Sequence, residues 1–284
     1  MPSPCQSRDH KGADLTRRHR FLTGAALIRT APLLAKFIPG NADKARGDPM
    51  KKAAIEPAVV LYSGGLNAAV AAAIAAQEQP LALLHVHYGQ QNQAGEDLAF
   101  EALAERIQPK ERLTLDLPHI AKIAHGTKFD PRQPPPNWSE SITRLAETSI
   151  PGLMAAMLTA AQAWAARIGA SKVYLGISEK SAGPLPQLSA VRPEWSREFV
   201  QVWNHLQNVT SVDAPMVIEA PLIDLSRGEI VKLGARLDVP FELTRSCQAS
   251  GDEVCGNCLG CASRAHGFLD AGLPDPILAQ AVTA

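Results

Sequence analysis

Ala58-Val59-Val60-Leu61-Tyr62-Ser63-Gly64-Gly65-Leu66-Asn67 constrains this chain more than any other stretch. A short apolar run enters a Ser-Gly-Gly turn, and an Ala-rich helical pattern comes next. Strand, glycine turn and helix in that order are how α/β proteins build a phosphate site. Backbone N–H groups of the turn face the anion, and the positive end of the helix dipole adds attraction. Gly64 and Gly65 lack a Cβ, which permits a tight turn and close approach of a ligand. Ser63 adds a hydroxyl donor. Three small residues are a weak motif, however, and a turn without a ligand fits them equally well.

From residue 58 onward strands and helices alternate. The pattern predicts strands over Ala58–Tyr62, Leu81–His87, Arg112–Leu117, Lys172–Gly176 and Met216–Glu219. It predicts helices over Leu66–Gln77, Glu96–Ile107, Leu153–Ile168, from Pro193 to about Gln207, and Arg227–Leu237. On the second helix Leu98, Leu103 and Ile107 are among the apolar positions. Ser226 reads as an N-cap with Glu229 as its capping-box partner. Repeating β-α units give an α/β fold: a parallel five-stranded sheet with helices on both faces and right-handed crossovers. Pro131 and Pro134-Pro135-Pro136 exclude regular structure within 124–148, a long loop that serves either as a lid or as a passive insertion.

A second signature lies near the other end. Four of the five cysteines fall in the pattern Cys247-x7-Cys255-x2-Cys258-x2-Cys261. Such crowding late in an α/β chain reads as a metal site rather than a disulfide framework, and it implies a reducing compartment. Four thiolates can surround one Zn²⁺ tetrahedrally, and an iron–sulfur cluster is the rival reading of Cys-x2-Cys-x2-Cys. Gly251, Gly256 and Gly260 let the chain fold back between ligands, whereas His266 reads as an ordinary helix residue.

Lys and Arg balance Asp and Glu at 28 each. A surface given over to a nucleic-acid backbone is therefore not expected. No run of eighteen apolar residues suggests a membrane span. Residues 1 to about 50 do not look like part of the fold. Arg17-Arg18 before Phe21-Leu22 faintly suggests a twin-arginine signal, but Arg29, Pro32 and Lys36 interrupt the apolar stretch and no small-residue cleavage site comes after it. An extension, or an alternative start at Met50, fits better and agrees with a cytoplasmic thiol site. The expected division is 1–52 as an extension, 56–240 as the α/β domain that carries the glycine turn, 241–276 as a small metal-binding subdomain built on the four cysteines, and 277–284 as a tail.

Both ends point to one family. Leu61-Tyr62-Ser63-Gly64-Gly65-Leu66-Asn67 resembles the PP-loop, Ser-Gly-Gly-x-Asp-Ser, of N-type ATP pyrophosphatases, whose fold is adenine-nucleotide alpha-hydrolase-like. His87-Tyr88-Gly89-Gln90 resembles the Asp-Tyr-Gly-Gln segment of one branch. Arg192-Pro193-Glu194, Glu219-Ala220-Pro221-Leu222-Ile223-Asp224, Glu229–Gly234, Pro240–Thr244, Ser246-Cys247 and the remaining cysteines recur in the same order there. That branch is the 7-cyano-7-deazaguanine synthase family, and the likeness runs over about residues 56 to 276. It implies ATP, Mg²⁺ and Zn²⁺ as cofactors, with 7-carboxy-7-deazaguanine and ammonia as the other substrates. It places nucleotide on Leu61 to Asn67 and metal on Cys247, Cys255, Cys258 and Cys261. Arg192 and Glu194 are the implied catalytic residues, and family members often self-associate.

The departures fall on the implied site. The PP-loop Asp is Asn67 here and the following Ser is Ala68. The Val-Pro-Gly-Arg-Asn segment reads Ile150-Pro151-Gly152-Leu153-Met154. The Arg-His pair after Gln90 is Gln91-Asn92, and the Asp-Cys before Arg192 is Ala190-Val191. Each replacement removes a charge, a hydroxyl, a thiol or a polar contact. Glu179, Lys180, Arg192 and Glu194 are the groups that could compensate in an active but divergent enzyme. The alternative is a degenerate paralogue that binds nucleotide or adenylates something else.

Overall fold

The computed structural model describes residues 56–137, 140, 150–180, 196–210 and 216–277. Arg192, Glu194, residues 1–55 with the expected extension at 1–52, and residues 278–284 of the expected tail lie outside the described residues. Five strands form one parallel sheet: β1 (Ala58–Leu61), β2 (Leu81–His87), β3 (Glu111–Asp116), β4 (Lys172–Leu175) and β5 (Val217–Glu219), in the order β3-β2-β1-β4-β5. Parallel strands covered by helices on both faces read as apolar runs, whereas the edge strand β3 still alternates. The central strand shows such a run: Ala58, Val59 and Val60 are all fully buried.

Successive side chains of β1 divide between two cores. Val60 and Tyr62 face α1 (Leu66–Ala75), α2 (Gln93–Ile107) and α6 (Arg227–Arg236), the last helix of that layer being α7 (Leu259–Ala271). Val59 and Leu61 face α4 (Leu153–Ile168) and α5 (Arg197–Thr210). A short helix, α3 (Pro118–Ala124), succeeds β3 with proline in its first turn. The expected five strands and five helices are present, with ends moved by one to four residues where fraying or capping decides.

Two details differ from the sequence pattern. Helix α2 begins at Gln93, earlier than expected, and Leu98 on it is 62% exposed. The buried stripe keeps the expected Leu103, with Ile107 packed at its edge, and adds Ala99, Phe100 and Ala104 under the glycine turn. Elsewhere local chemistry sets the ends as read. Ser226 Oγ accepts from the Glu229 N–H at 3.3 Å while the Glu229 carboxylate accepts from the Ser226 N–H at 2.7 Å. Helix α4 stops at Gly169, whose φ of 70° takes the left-handed conformation that ends helices without a Cβ penalty.

Strand order reverses between β1 and β4, since the chain moves outward from β1 first to one side and then to the other. Open α/β sheets bind ligands in the crevice at that switch point, beyond the carboxyl ends of the strands. Here the crevice is kept open by Gly176, directly after β4. A Cβ on Gly176 would lie 2.6 Å from the Ala68 nitrogen and 2.7 Å from the Asn67 carbonyl carbon. Backbone cannot yield as a side-chain tip can, so overpacking costs of about 1–3 kcal/mol apply. Gly176→Ala is therefore expected to lower the urea midpoint without changing the slope, a test that needs only equilibrium unfolding.

Candidate functional site

At the switch point lies an open cavity of about 400 Å³. Its floor is the turn and first turn of α1: Ser63, Gly65, Leu66, Asn67 and Ala68. No side chain caps the start of α1, so its first backbone N–H groups face the cavity unclaimed by a local cap. Ser63 is exposed at the mouth. Gly64 takes a different part. It has φ of 75°, and a Cβ there would lie 2.8 Å from the Ala99 Cβ, so its missing side chain lets the turn seat on α2. Tyr62 borders the cavity, but its ring packs on Phe100 at 6.1 Å within the core. Burial pushes the Tyr62 phenol well above its ordinary pKa.

Asn67 is not a free ligand. Its side-chain oxygen accepts a hydrogen bond from Arg227 Nη1. Arg227 Nε donates to Ser263 Oγ at 3.2 Å. Burial, with Arg264 nearby, brings the Arg227 pKa down to about 10, so the guanidinium is still a cation at neutral pH. Arg227 lines the cavity and was not singled out from the sequence. The available signal was its position: an arginine in the first turn of α6 opposes the helix dipole, which favours acids there. Such a residue stands where it does for another reason, and here that reason is the cradle 160 residues away.

Arg245 supplies a second cation. Its guanidinium lies over Gly95, where a Cβ would collide with Nε. Its Nη atoms donate to the carbonyls of Ala249, Gly251 and Asp252 at 3.2, 2.6 and 3.0 Å. The Arg245 N–H donates to the Gly64 carbonyl at 2.9 Å, which ties the C-terminal segment to the glycine turn. Opposite stands an apolar wall of Ile150, Leu153, Met154 and Met157. The departures at 153 and 154 therefore lie on the cavity surface itself.

Beside the first cavity is a hollow of about 220 Å³ walled by the proline-rich segment, including Phe129, Pro131 and Pro134. Tyr88, Asn92, Glu96, Ile150 and Gln248 border both spaces. Glu96 is the titratable group at this boundary. Gln90 Nε2 and Asn92 Nδ2 each donate to its carboxylate at 2.9 Å, but burial dominates and raises its pKa. Gln91 and Asn92 also donate to the carbonyls of Gln248 and Cys247, at 3.1 and 3.3 Å. These two departures thus fasten the cysteine segment to the crevice.

The four cysteines converge, with their sulfurs all within 4.8 Å of one another. Cys258 and Cys261 are 3.6 Å apart, and Cys255 and Cys261 4.0 Å. Tetrahedral binding with bonds of about 2.3 Å requires sulfur separations of roughly 3.8 Å. The Cys255 and Gln248 N–H groups donate to Cys247 Sγ and Cys258 Sγ at 3.3 and 3.4 Å, as suits thiolates. Hydrogen bonds from Cys258 and Cys261 pull the Cys247 thiol down, and the same bonds to Cys247 push Cys258 and Cys261 up. Four thiolates coexist only around a cation, which this cluster could hold. His266 is not one of the clustered groups. Glu179 and Asp224 both serve α5, accepting from the Arg197 backbone and guanidinium respectively.

A doubly wound sheet, with a glycine turn and helix start facing a part-buried guanidinium at its switch point, is the architecture of PP-loop α/β proteins. The profile described as "Queuosine biosynthesis protein QueC" matches residues 57–272. The 7-cyano-7-deazaguanine synthase of Acidobacterium capsulatum is 34% identical over 226 residues, covering 78% of this chain and 96% of that protein. The synthase of Koribacter versatilis is 35% identical over 225 residues, covering 78% and 92%. Resemblance to solved structures is distant: NMN synthetase from Francisella tularensis aligns over 81% of this chain and 77% of that one, at TM-score 0.40 and 16% identity. The chain belongs to the queuosine biosynthesis protein QueC family. Among the described residues no helix is long and apolar enough to cross a membrane.

Burial of Glu96 yields a pH test. A carboxyl with a raised folded pKa favours the folded state only while protonated, so its ionisation removes stability as pH rises through that pKa. The melting temperature of Glu96→Gln relative to the unaltered chain should therefore climb between about pH 4 and neutrality and stay flat below about pH 4, where both states of the glutamate are protonated; a constant offset reflects the acceptor that Gln lacks for Gln90 or Asn92. Calorimetry over a pH series reads it directly.

Proposed function

We propose that this chain is an ATP-dependent 7-cyano-7-deazaguanine synthase of the cytoplasm, acting in queuosine biosynthesis and so supplying tRNA modification. The carboxylate of 7-carboxy-7-deazaguanine attacks the ATP α-phosphate and releases diphosphate. Ammonia displaces AMP from the acyl-adenylate to give an amide. A second ATP activates the amide oxygen, and loss of AMP leaves the nitrile. The observation that carries this reading is the pairing of a glycine-turn cradle with a part-buried cation, Arg227, in one cavity.

The residues present suit a division of labour. The N–H groups at the start of α1 would hold phosphate oxygens, and Arg227 would offset charge that grows on the phosphorus oxygens during displacement. The apolar wall of Leu153 and Met154 would pack a flat base and exclude water. Arg192 and Glu194 are proposed to contact the deazapurine. Mg²⁺ would arrive on the triphosphate, because Asn67 offers only an amide oxygen that Arg227 already engages. The four cysteines fit Zn²⁺ in a closed shell, a structural role in the proposed 241–276 subdomain next to the 56–240 ATP-binding domain. Self-association is proposed on the family likeness alone.

A second reading rests on the Asn67–Arg227 pair. With a neutral amide where the family has a carboxylate, the cradle would bind nucleotide without turning it over. Incubation of zinc-loaded protein with ATP, Mg²⁺, ammonium and 7-carboxy-7-deazaguanine separates the two. Formation of AMP and preQ0 supports synthesis. Failure to form either, together with AMP release by the Asn67→Asp, Ala68→Ser double variant, supports the binding reading. If the chain is a synthase, Arg227→Gln should cut turnover roughly a hundredfold or more, the cost of losing one transition-state charge contact, while its circular dichroism stays unchanged.

A further inference from the structure

Behind the wall that carries Glu96, and outside both cavities, three side chains converge that the proposed chemistry does not use. His85 and His87 alternate along β2 and so share one face of the sheet. Asp97 comes from α2. His85 Nε2 lies 3.1 Å and His87 Nε2 2.6 Å from the same oxygen, Asp97 Oδ1.

The other nitrogen of each ring is also engaged. His85 Nδ1 is 3.0 Å from the Tyr62 carbonyl oxygen, and His87 Nδ1 is 3.1 Å from Asp116 Oδ1. A carbonyl and a carboxylate only accept, so both Nδ1 atoms carry their protons. The Nε2 atoms of the neutral rings are then lone pairs, both aimed at a carboxylate oxygen. Something positive has to lie between them.

Protons are one answer, but an expensive one. Both rings would become imidazolium cations with centroids 5.0 Å apart. His85 would carry its charge while 1% exposed and stacked on Phe100 at 4.9 Å. One divalent ion removes the difficulty, with the His87–Asp97 separation opening from 2.6 Å to the roughly 3.3 Å that tetrahedral bonds of about 2.0 Å require. Each imidazole binds it through Nε2 as a neutral ligand, Asp97 supplies an oxygen, and the Nδ1–H groups keep their acceptors. Metal-ligating histidines characteristically donate their second N–H to a carbonyl or carboxylate in this way.

We propose that His85, His87 and Asp97 form a metal site, separate from the four cysteines, that takes one divalent first-row transition ion such as Zn²⁺. All three ligand atoms lie within 4.8 Å of one another. Two imidazoles and one carboxylate suit zinc or iron and are harder than a thiolate cluster, so the two sites differ in preference. Three protein ligands leave positions open on the side where Asp97 is exposed. The ion pins the start of α2 to the end of β2 across the turn Tyr88–Asn92, and thereby fixes Glu96 at the cavity edge.

The test uses the full chain, loaded with Zn²⁺, passed through a metal-free gel-filtration column and analysed for metal by mass spectrometry. His87→Gln and Asp97→Asn should each retain one equivalent less zinc than the unaltered chain. X-ray absorption of the unaltered zinc protein should show nitrogen and sulfur neighbours, and that of the variants sulfur alone. Asp97 is part-exposed on α2, so Asp97→Asn remains informative if His87→Gln does not fold. Equal zinc retention by the unaltered chain and by folded Asp97→Asn would overturn the proposal and leave a protonated His–Asp network.

Discussion

The buried ion pair between Arg264 and Asp275 is the constraint on which the site depends. Arg264 is 3% exposed, and such a charge is tolerable only if nearly every donor is used. Its Nε reaches both Asp275 oxygens, at 3.0 and 2.9 Å. Nη1 donates to Thr244 Oγ1 at 2.6 Å and Nη2 to the Phe241 carbonyl at 2.9 Å. One side chain of α7 thus fixes the short 3-10 turn Phe241–Leu243 and the residue that ends it. Phe268 packs edge-on against Phe241 at 5.2 Å, which closes the apolar side of the same joint. The very next residues run along the glycine turn, so the position of the cradle's outer wall is set by where Arg264 is held.

From this joint two cations reach the cradle by different routes. Arg245 extends directly from the segment that Arg264 anchors. Arg227 starts on α6 and leans on Ser263, the neighbour of Arg264 on α7. Gly267 allows this packing, since a Cβ there would collide with the Arg227 side chain. Desolvation first, and then repulsion between this part-buried guanidinium and the buried one of Arg264, lower the Arg227 pKa. An anion in the crevice would relieve both the repulsion and the desolvation. A site that is electrostatically strained when empty favours a negatively charged ligand.

How much of this was legible in sequence depended on distance along the chain. Strand and helix identities came from local periodicity, and the Ser226–Glu229 cap from spacing of three. The cysteine cluster declared itself because its ligands are close in sequence. Arg227 could not be placed in the cradle from its neighbours, because the partner it meets, Asn67, belongs to another βα unit. Leu98, an apolar position of α2, is exposed for a related reason. The apolar stripe of α2 is set by the glycine turn beneath it, where Ala99 fits against Gly64, rather than by the largest side chains on the helix. His85 and His87 read only as the end of a strand, since nothing local indicates that Asp97 closes over them.

Gln91 and Asn92 change the meaning of the departures as a group. By composition they remove a charged pair from the implied site. In the fold their amides donate to the Gln248 and Cys247 carbonyls, so they bind crevice to cysteine cluster by neutral hydrogen bonds. Cys258 is joined on its other side, through a backbone bridge, to Asn137 at the end of the proline-rich segment. The cluster therefore sits between the glycine turn and the wall of the second hollow. An ion among its sulfurs would hold both walls at once without touching substrate. On this geometry the amides of Gln91 and Asn92 hold the walls in place, while Arg227 and Arg245 put positive charge beside the glycine turn.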